Sequence, residues 1–420
     1  MTKICIETFG CSNSQAEAEI MAGLLKEAGF EIVDNKGAEL VIFVTCYVKN
    51  PTEQKIFFRI KELYQKKKII IAGCMPEGIY GRLKRNFPGV SMLSTHHVKE
   101  VVEAVRKTLD GKTVEYLGKS DEIKLCLPKI RKNPVIDIVP ISSGCNSKCH
   151  YCCVRLAKGR LFSYPSDMIV KEIESSLKEG CREILLTAQD TASYGQDRKE
   201  SLPQLLGKIS KIQGKFSVRV GMMNIKNALP IASEIVEAFK SNKFYKFIHL
   251  PIQSGSDQVL ASMNRGYTAG QFEDIVKSFK GCQLWTDVIV GYPTESEDDF
   301  QKTLGVIKRT RPDWVNVSKY GPRAGTEAAK MKTLPPKVVN ERSRILSELA
   351  RKISLEKNER WMDWKGEILI SEGGSKKNQW KGRNFEYKPV LIESENDLLG
   401  KFVDVRVVKA NRFHLEGTAI

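Results

Sequence analysis

The stretch GCNSKCHYCC, residues 144–153, holds four of the chain's eleven cysteines. Three of them, Cys145, Cys149 and Cys152, are spaced C-x3-C-x2-C. Thiolates are soft ligands suited to zinc, copper(I) or iron–sulfur clusters. Structural zinc normally takes four ligands from the protein, and only three well-spaced sulfurs are on hand. Cys153 adjoins Cys152, and two adjacent residues rarely aim at one metal; it reads as a small hydrophobe in the loop or in the core beneath. His150 reads as a spectator. Three thiolates on a four-iron cube leave one iron open to chelate a small molecule. A zinc knuckle is the competing reading.

A second set is hidden by long spacing. Cys11, Cys46 and Cys74 each follow a strand-like run: IETFGC, IFVTC and IIIAGC. Parallel strands bring their carboxyl ends to one edge of a sheet, where open α/β sheets place ligands. Three cysteines at three such ends converge if the strands are neighbours; three independent buried thiols are the alternative. Cys5 lies inside its strand and reads as core.

The elements that must position these residues form three segments. In residues 1–115, KICIET, AELVIFV and KKIIIAG are strands buried on both faces, with amphipathic helices such as SQAEAEIMAGLLKEAG and NPTEQKIFFRIKELYQ between them. That alternation predicts a parallel α/β sheet. Residues 116–134 are polar and weakly periodic, a connector. From 135 to 355 six more strand–helix units (VIDIVPI, EILLTAQ, SVRVGMM, KFIHLPI, LWTDVIVG, WVNVSKY) predict a full or partial β/α barrel, with an open doubly wound sheet as competitor. The first triplet lies on the loop leaving the first barrel strand, at the end where such barrels gather their chemistry. Residues 358–420 change character: GEILISE, YKPVLIES, KFVDVRVVKA and RFHLEGTAI alternate apolar and polar residues without helices, a small antiparallel β-barrel. The fold class is therefore α/β with a C-terminal barrel.

Net charge is +17, from 67 basic and 50 acidic side chains, which favours a polyanionic partner over a merely solvated surface. No apolar run approaches the ~20 residues of a spanning helix. The start, MTKICIETFG, has no signal-peptide layout, so a cytoplasmic location, where clustered cysteines hold metals rather than disulfides, is expected. His96 and His97 are expected on a surface loop. Glu295 and Asp298 are expected as the negative charges that open a helix.

Taken in order, FGCSNSQAEAEIMAGLL, VTCYVKNPTEQ, AGCM, ISSGCNSKCHYCCVRLAKGRLFSYP, LTAQDTASYGQD, HLPIQSGSDQVLASMNRGYT and TDVIVGYPTESEDDF resemble the radical S-adenosylmethionine methylthiotransferases. The resemblance covers essentially the whole chain, and GRNFEYKPV with LGKFVDVRV makes the closing barrel similar to the RNA-binding TRAM domain. It implies two 4Fe–4S clusters, an auxiliary one on Cys11, Cys46 and Cys74 and a radical one on Cys145, Cys149 and Cys152, with S-adenosyl-L-methionine as cosubstrate. Tyr151 is a candidate to pack on its adenine. Gln189, Asn224, Asp287 and Gly291, at or near strand ends, are candidate contacts, with a plain loop or core role as the alternative. RVGMMNIKNAL and LTAQDTASYG look most like the archaeal and eukaryotic branch. That branch adds a methylthio group to C2 of N6-threonylcarbamoyladenosine beside the tRNA anticodon (tRNA position 37). Isopentenyladenosine in tRNA and a ribosomal-protein aspartate are the family's other substrates. The implied partners are a tRNA anticodon stem-loop, a flavodoxin- or ferredoxin-like electron donor and an unidentified sulfur donor. Two positions depart from the usual pattern: Lys158 stands where arginine is frequent and Ala324 where proline is.

The implied chemistry explains the parts. A C2–H on a purine is not acidic, so acid–base catalysis has little leverage. A deoxyadenosyl radical, formed when the radical cluster passes one electron to S-adenosylmethionine, removes the hydrogen, and the auxiliary cluster presents the sulfur. RNA recognition is expected in KKNQWKGRNFEYK, where Lys381 and Arg383 alternate with Trp380, Phe385 and Tyr387 as phosphate and base contacts. The non-enzymatic alternative is a zinc-containing RNA-binding protein.

Overall fold

Six parallel strands build the first domain: Lys3–Thr8 (β1), Glu31–Ile32 (β2), Leu40–Thr45 (β3), Lys68–Gly73 (β4), Ser91–Ser94 (β5) and Glu115–Tyr116 (β6), in the order β2-β1-β3-β4-β5-β6. The computed structural model describes residues 1–48 and 50–420. Every residue of β3 is buried, which is why its sequence shows no polar alternation. Side chains alternate across the sheet. Val41, Phe43, Ile69 and Ile71 enter a core with Ile56 and Ile60 of the helix Asn50–Leu63. Leu40, Ile42, Val44 and Ile70 enter another, closed by Ile20, Met21 and Leu25 of the helix Ser12–Glu27.

The segment after this sheet is more than a polar tether. β6 extends the sheet by pairing with β5. Lys124 and Lys129 are buried, paired with Glu17 and with Asp137 and Glu172 respectively. Paired charges of this kind look solvated in sequence, because their partners are distant along the chain. The segment also runs against the helix Ser12–Glu27, where a Cβ on Gly23 would lie 2.2 Å from the Pro128 carbonyl oxygen.

The central domain begins with Ile136–Pro140 (β7) and a small antiparallel pair, Ser142–Ser143 (β8) with Phe162–Ser163 (β9). Then follow Glu183–Thr187 (β10), Ser217–Val220 (β11), Phe247–His249 (β12), Gln283–Val290 (β13) and Trp314–Lys319 (β14). β7, β10 and β11 pair in parallel, as do β12, β13 and β14, and a parallel bridge between Val218 and Phe244 lies between the two sheets. Neighbours in sequence are neighbours in space, with no switch point, so the domain is a partial β/α barrel and not a doubly wound sheet.

The helix Pro336–Glu359 runs from this core to a closed barrel of Lys365–Gly373 (β15), Gln379–Arg383 (β16), Pro389–Glu393 (β17), Phe402–Ala410 (β18) and Leu415–Ala419 (β19), ordered β15-β16-β17-β19-β18. Ile368, Ile370, Val390, Ile392, Val405, Val407 and Leu415 fill it. β16 is the strand that the four alternating runs did not include. It falls in the cation- and aromatic-rich stretch, where the alternation is masked. Among the described residues, no helix is long and apolar enough to cross a membrane.

Candidate active site

The loop that carries Cys145, Cys149 and Cys152 is clamped at its base by the β8–β9 pair, and the Cys145 N–H donates to the Gly159 carbonyl at 3.2 Å. Gly144 has φ +74°, and a Cβ there would lie 1.7 Å from the Arg160 carbonyl oxygen, so only glycine fits. The Cys152 N–H closes a tight turn onto the Cys149 carbonyl at 3.1 Å. Burial pushes the Cys152 thiol up to about 12 and the Cys145 thiol upward, and Cys149 adds to both shifts.

Two side chains not singled out from the sequence hold this loop. Arg265 is 6% exposed, and its Nη1 donates to the Cys149 sulfur at 3.1 Å. Its Nε donates to the Tyr267 hydroxyl at 3.1 Å and its Nη2 to Asn224 Oδ1 at 3.3 Å. Asn224 Nδ2 in turn donates to Ser147 Oγ at 3.1 Å. Asp190, also buried, accepts from the Asn224 N–H at 2.8 Å and from Asn227 Nδ2 at 2.6 Å, and burial raises its carboxyl above the ordinary range. The only signal available in sequence was their place in polar loops, Asp190 after β10 and Arg265 after the helix Asp257–Ser262.

The other expected contacts are placed as follows. Gln189, beyond the end of β10, is half-buried, and its buried Oε1 has no partner within the protein. Asp287 on β13 accepts from His249 Nε2 at 2.7 Å and from Asn316 Nδ2 at 2.6 Å. Tyr151 packs against Val259, Met263, Tyr292 and Ala328. Gly291 donates its N–H to Glu295 Oε2 at 2.7 Å, and a Cβ on it would meet Val339 at 2.5 Å. His150 is held by backbone, with its N–H on the Met263 carbonyl and Nδ1 2.9 Å from the Ser262 carbonyl. Asp298 lies in the first turn of the helix Glu297–Thr310, and Glu295, two residues before that helix, is 3% exposed and pairs with Arg342 at 2.8 Å. One expectation is corrected. His96 is not on the surface: it is 6% exposed, between the carbonyls of Ser120 and Ala157.

In the first domain β1, β3 and β4 are direct neighbours, so Cys11, Cys46 and Cys74 leave one sheet edge side by side. The Cys74 N–H donates to the Thr45 carbonyl at 3.1 Å, and a Cβ on Gly10 would lie 2.9 Å from the Cys46 Cβ. Burial pushes Cys74 up to about 12; it also raises Cys46, with Cys11 adding to it. Cys5 is core, as its position inside β1 suggests.

The two triplets share one interface. The Tyr47 hydroxyl, one residue beyond Cys46, donates to the carbonyl of Cys153, one residue beyond Cys152, at 2.7 Å. Cys153 is 2% exposed and packs into the first domain's core. Arg323, from the loop after β14, donates to the Val48 carbonyl at 2.9 Å and pairs with Glu53 at 2.6 Å. Among the described residues, no three Cys, His, Asp or Glu side chains converge closely enough to hold a single metal ion. A four-iron cluster would instead be held by soft sulfur donors, which each triplet could supply.

On the barrel, Trp380 Nε1 donates to the Ser394 carbonyl at 3.1 Å. Lys381 and Arg383 both pair with Glu372, at 3.0 and 3.1 Å. Arg383 also stacks over Tyr387, which is buried among Tyr245, Phe247 and Trp285 against the central domain. Lys381 stays partly open, and Phe385 is exposed.

Three family descriptions match in series: "Uncharacterized protein family UPF0004" over residues 3–94, "Radical SAM superfamily" over 139–307 and "TRAM domain" over 366–420. A "Probable threonylcarbamoyladenosine tRNA methylthiotransferase" of Methanothermobacter thermautotrophicus is 42% identical over 98% of both chains. The chain belongs to the radical S-adenosylmethionine methylthiotransferases. A human relative, "Threonylcarbamoyladenosine tRNA methylthiotransferase", is 33% identical over all of this chain and 74% of that protein. The fold is shared with a radical S-adenosylmethionine methyltransferase, TsrM, from Kitasatospora setae, at a TM-score of 0.58 and 13% identity, over 78% of this chain and 75% of that one. Membership in the radical SAM superfamily implies a 4Fe–4S cluster and S-adenosylmethionine for this methylthiotransferase.

Proposed function

We propose that this methylthiotransferase acts on tRNA, adding the methylthio group to C2 of N6-threonylcarbamoyladenosine beside the anticodon. The observation that carries this reading is the meeting of two thiol triplets at one interface, bridged by Tyr47 and Cys153. The full-length relatives bearing that activity in their names give the substrate. Cys145, Cys149 and Cys152 would hold the radical cluster, and Cys11, Cys46 and Cys74 an auxiliary one. When bound, the first supplies the low-potential electron and radical chemistry that an unactivated C2–H requires.

The chain's own residues do the positioning. Arg265 donates to the Cys149 sulfur and, through Asn224 and Ser147, fixes the loop around it. Gln189, with its unpartnered Oε1, and Tyr151, beside Cys152, are the candidate contacts for S-adenosylmethionine. Outside the site, Lys381 and Phe385 on the barrel offer a cation and an aromatic face to RNA, and the charge of +17 suits a tRNA met in the cytoplasm.

Mass spectrometry of tRNA nucleosides from a strain lacking the gene tests the substrate. Loss of methylthio-threonylcarbamoyladenosine, restored by the wild-type gene but not by Cys46→Ala, is the expected result. Loss of the isopentenyl analogue, or an unmethylthiolated ribosomal aspartate with tRNA unchanged, would move the enzyme to the other substrates. Iron content after anaerobic purification tests the clusters: zinc without iron would refute the enzyme.

A further inference from the structure

Beneath the N-terminal cysteines lies an ion cluster that the proposed transfer has not used. Lys158 ends the helix Val154–Lys158, on the same loop as Cys152, yet its side chain is 3% exposed and reaches into the first domain. Its Nζ donates to Glu17 Oε1 at 2.7 Å and to Thr95 Oγ1. Lys124 Nζ donates to the same Glu17 oxygen, also at 2.7 Å, and to the Thr95 carbonyl. Two buried ammonium groups thus share one oxygen of one carboxylate, and Glu17 Oε2 has no partner.

The surrounding charges do not treat the two lysines alike. Lys124 feels a second carboxylate, Glu122, which itself accepts the N–H groups of Val98 and Lys99. Arg323, the other cation that acts on Cys46, is tied to Glu53 at 2.6 Å. Lys158 instead sits against the cysteine edge: Glu17 lies in the helix that Cys11 caps, and the Thr95 N–H donates to the carbonyl of Gly73, the neighbour of Cys74, at 3.1 Å. The surplus is felt at His96, whose charged form is disfavoured by burial and then by Lys124 and Lys158. An under-compensated ammonium is costly to bury, and an anion beside it removes that cost. Three thiolates around a four-iron cube make such an anion, since the cube's own charge does not offset all three.

Resting on the reading of Cys11, Cys46 and Cys74 as cluster ligands, we infer that Lys158 is the counter-charge of the N-terminal metal–sulfur group and raises its reduction potential. Net charge near a cluster is one of the determinants of that potential. Because the radical loop delivers Lys158, the N-terminal group acquires its working potential only with the two domains docked.

The test uses the full chain with Cys145, Cys149 and Cys152 changed to alanine, so that only the N-terminal group remains, and reads its midpoint potential by a redox titration followed by electron paramagnetic resonance. Lys158→Met should shift the reduction equilibrium at least tenfold toward the oxidised form, about 59 mV for one electron. Lys158→Arg should stay close to the parent, and Glu17→Gln should move the potential the other way. Loss of iron from Lys158→Met with retention in Lys158→Arg also supports the counter-charge. An unchanged potential in Lys158→Met at parental iron content overturns it, as does equal iron loss from both lysine variants, which would mark a packing role. If the parent chain with alanines at the radical loop binds no iron, the assignment of the N-terminal ligands falls, and the inference with it.

Discussion

The radical loop and the N-terminal sheet edge each gather three cysteines, but by different means. Cys145, Cys149 and Cys152 lie on one loop closed by its own backbone, and the cation touching them, Arg265, comes from the same domain. Cys11, Cys46 and Cys74 leave three separate strands, and sheet order alone makes them neighbours. The ammonium beneath them, Lys158, is lent by the other domain. The first site is a local construction, and the second depends on two domains packing. A defect at Arg265 should therefore stay in the central domain, whereas a defect that displaces Lys158 should reach the N-terminal site.

The largest effects come from the ligands, and they separate the two sites. Cys149→Ala and Cys46→Ala should each abolish methylthiolation and leave about half the iron. Only Cys46→Ala should still cleave S-adenosylmethionine when reduced. Chromatography of the cleavage products checks this; equal loss of cleavage in both would erase the division of labour.

Arg265→Met should lower iron retention or cleavage activity by about 10–100-fold, the range seen when a group that orients a metal ligand is removed. Iron content of anaerobically purified protein reads it, and the N-terminal group should keep its iron.

The glycines sharpen the comparison in stability. Gly144→Ala sets a Cβ against backbone at positive φ and should cost about 3 kcal/mol. At Gly10 the Ser14 Oγ at 2.7 Å can turn away, but the Cys46 Cβ at 2.9 Å cannot and φ is +151°, so Gly10→Ala should cost about 2–3 kcal/mol. Denaturant unfolding of the metal-free protein measures both.

A pH dependence tests the same interface. Burial alone would raise the Glu17 carboxyl, but Lys124 and Lys158 override it and hold it at about 2 against an ordinary 4.5. A folded value below the unfolded one stabilises fully above pH 4.5, and that stabilisation drains away as pH falls from 4.5 toward 2. It amounts to about 3 kcal/mol. Glu17→Gln should flatten this limb of the stability curve, measured in the chain with Cys11, Cys46 and Cys74 changed to alanine so that acid loss of iron plays no part.

Legibility followed the distance over which residues act. β3, β4 and the loop cysteines were readable because apolar runs and C-x3-C-x2-C spacing are local signals. β16 was hidden because its inward positions are Trp380 and Gly382, only one of them a large apolar side chain, between the polar Gln379, Lys381 and Arg383. His96 was misplaced because its partners, the carbonyls of Ser120 and Ala157, are far along the chain. Arg383 and Tyr387 sit in the basic, aromatic stretch expected to meet RNA, yet they help seat the barrel on the central domain.

What the sequence alone determined was the set of parts: the loop triplet with its spacing, the strand-end cysteines, three segments of distinct periodicity, and the resemblance that their order carries. These follow from covalent neighbours and from the periods of helix and strand. Only the tertiary structure decided which strands are adjacent, that Tyr47 meets Cys153, and that Lys158 lies under the other domain's cysteines. Those facts belong to groups remote in the chain, whose burial and charge are defined only once they touch.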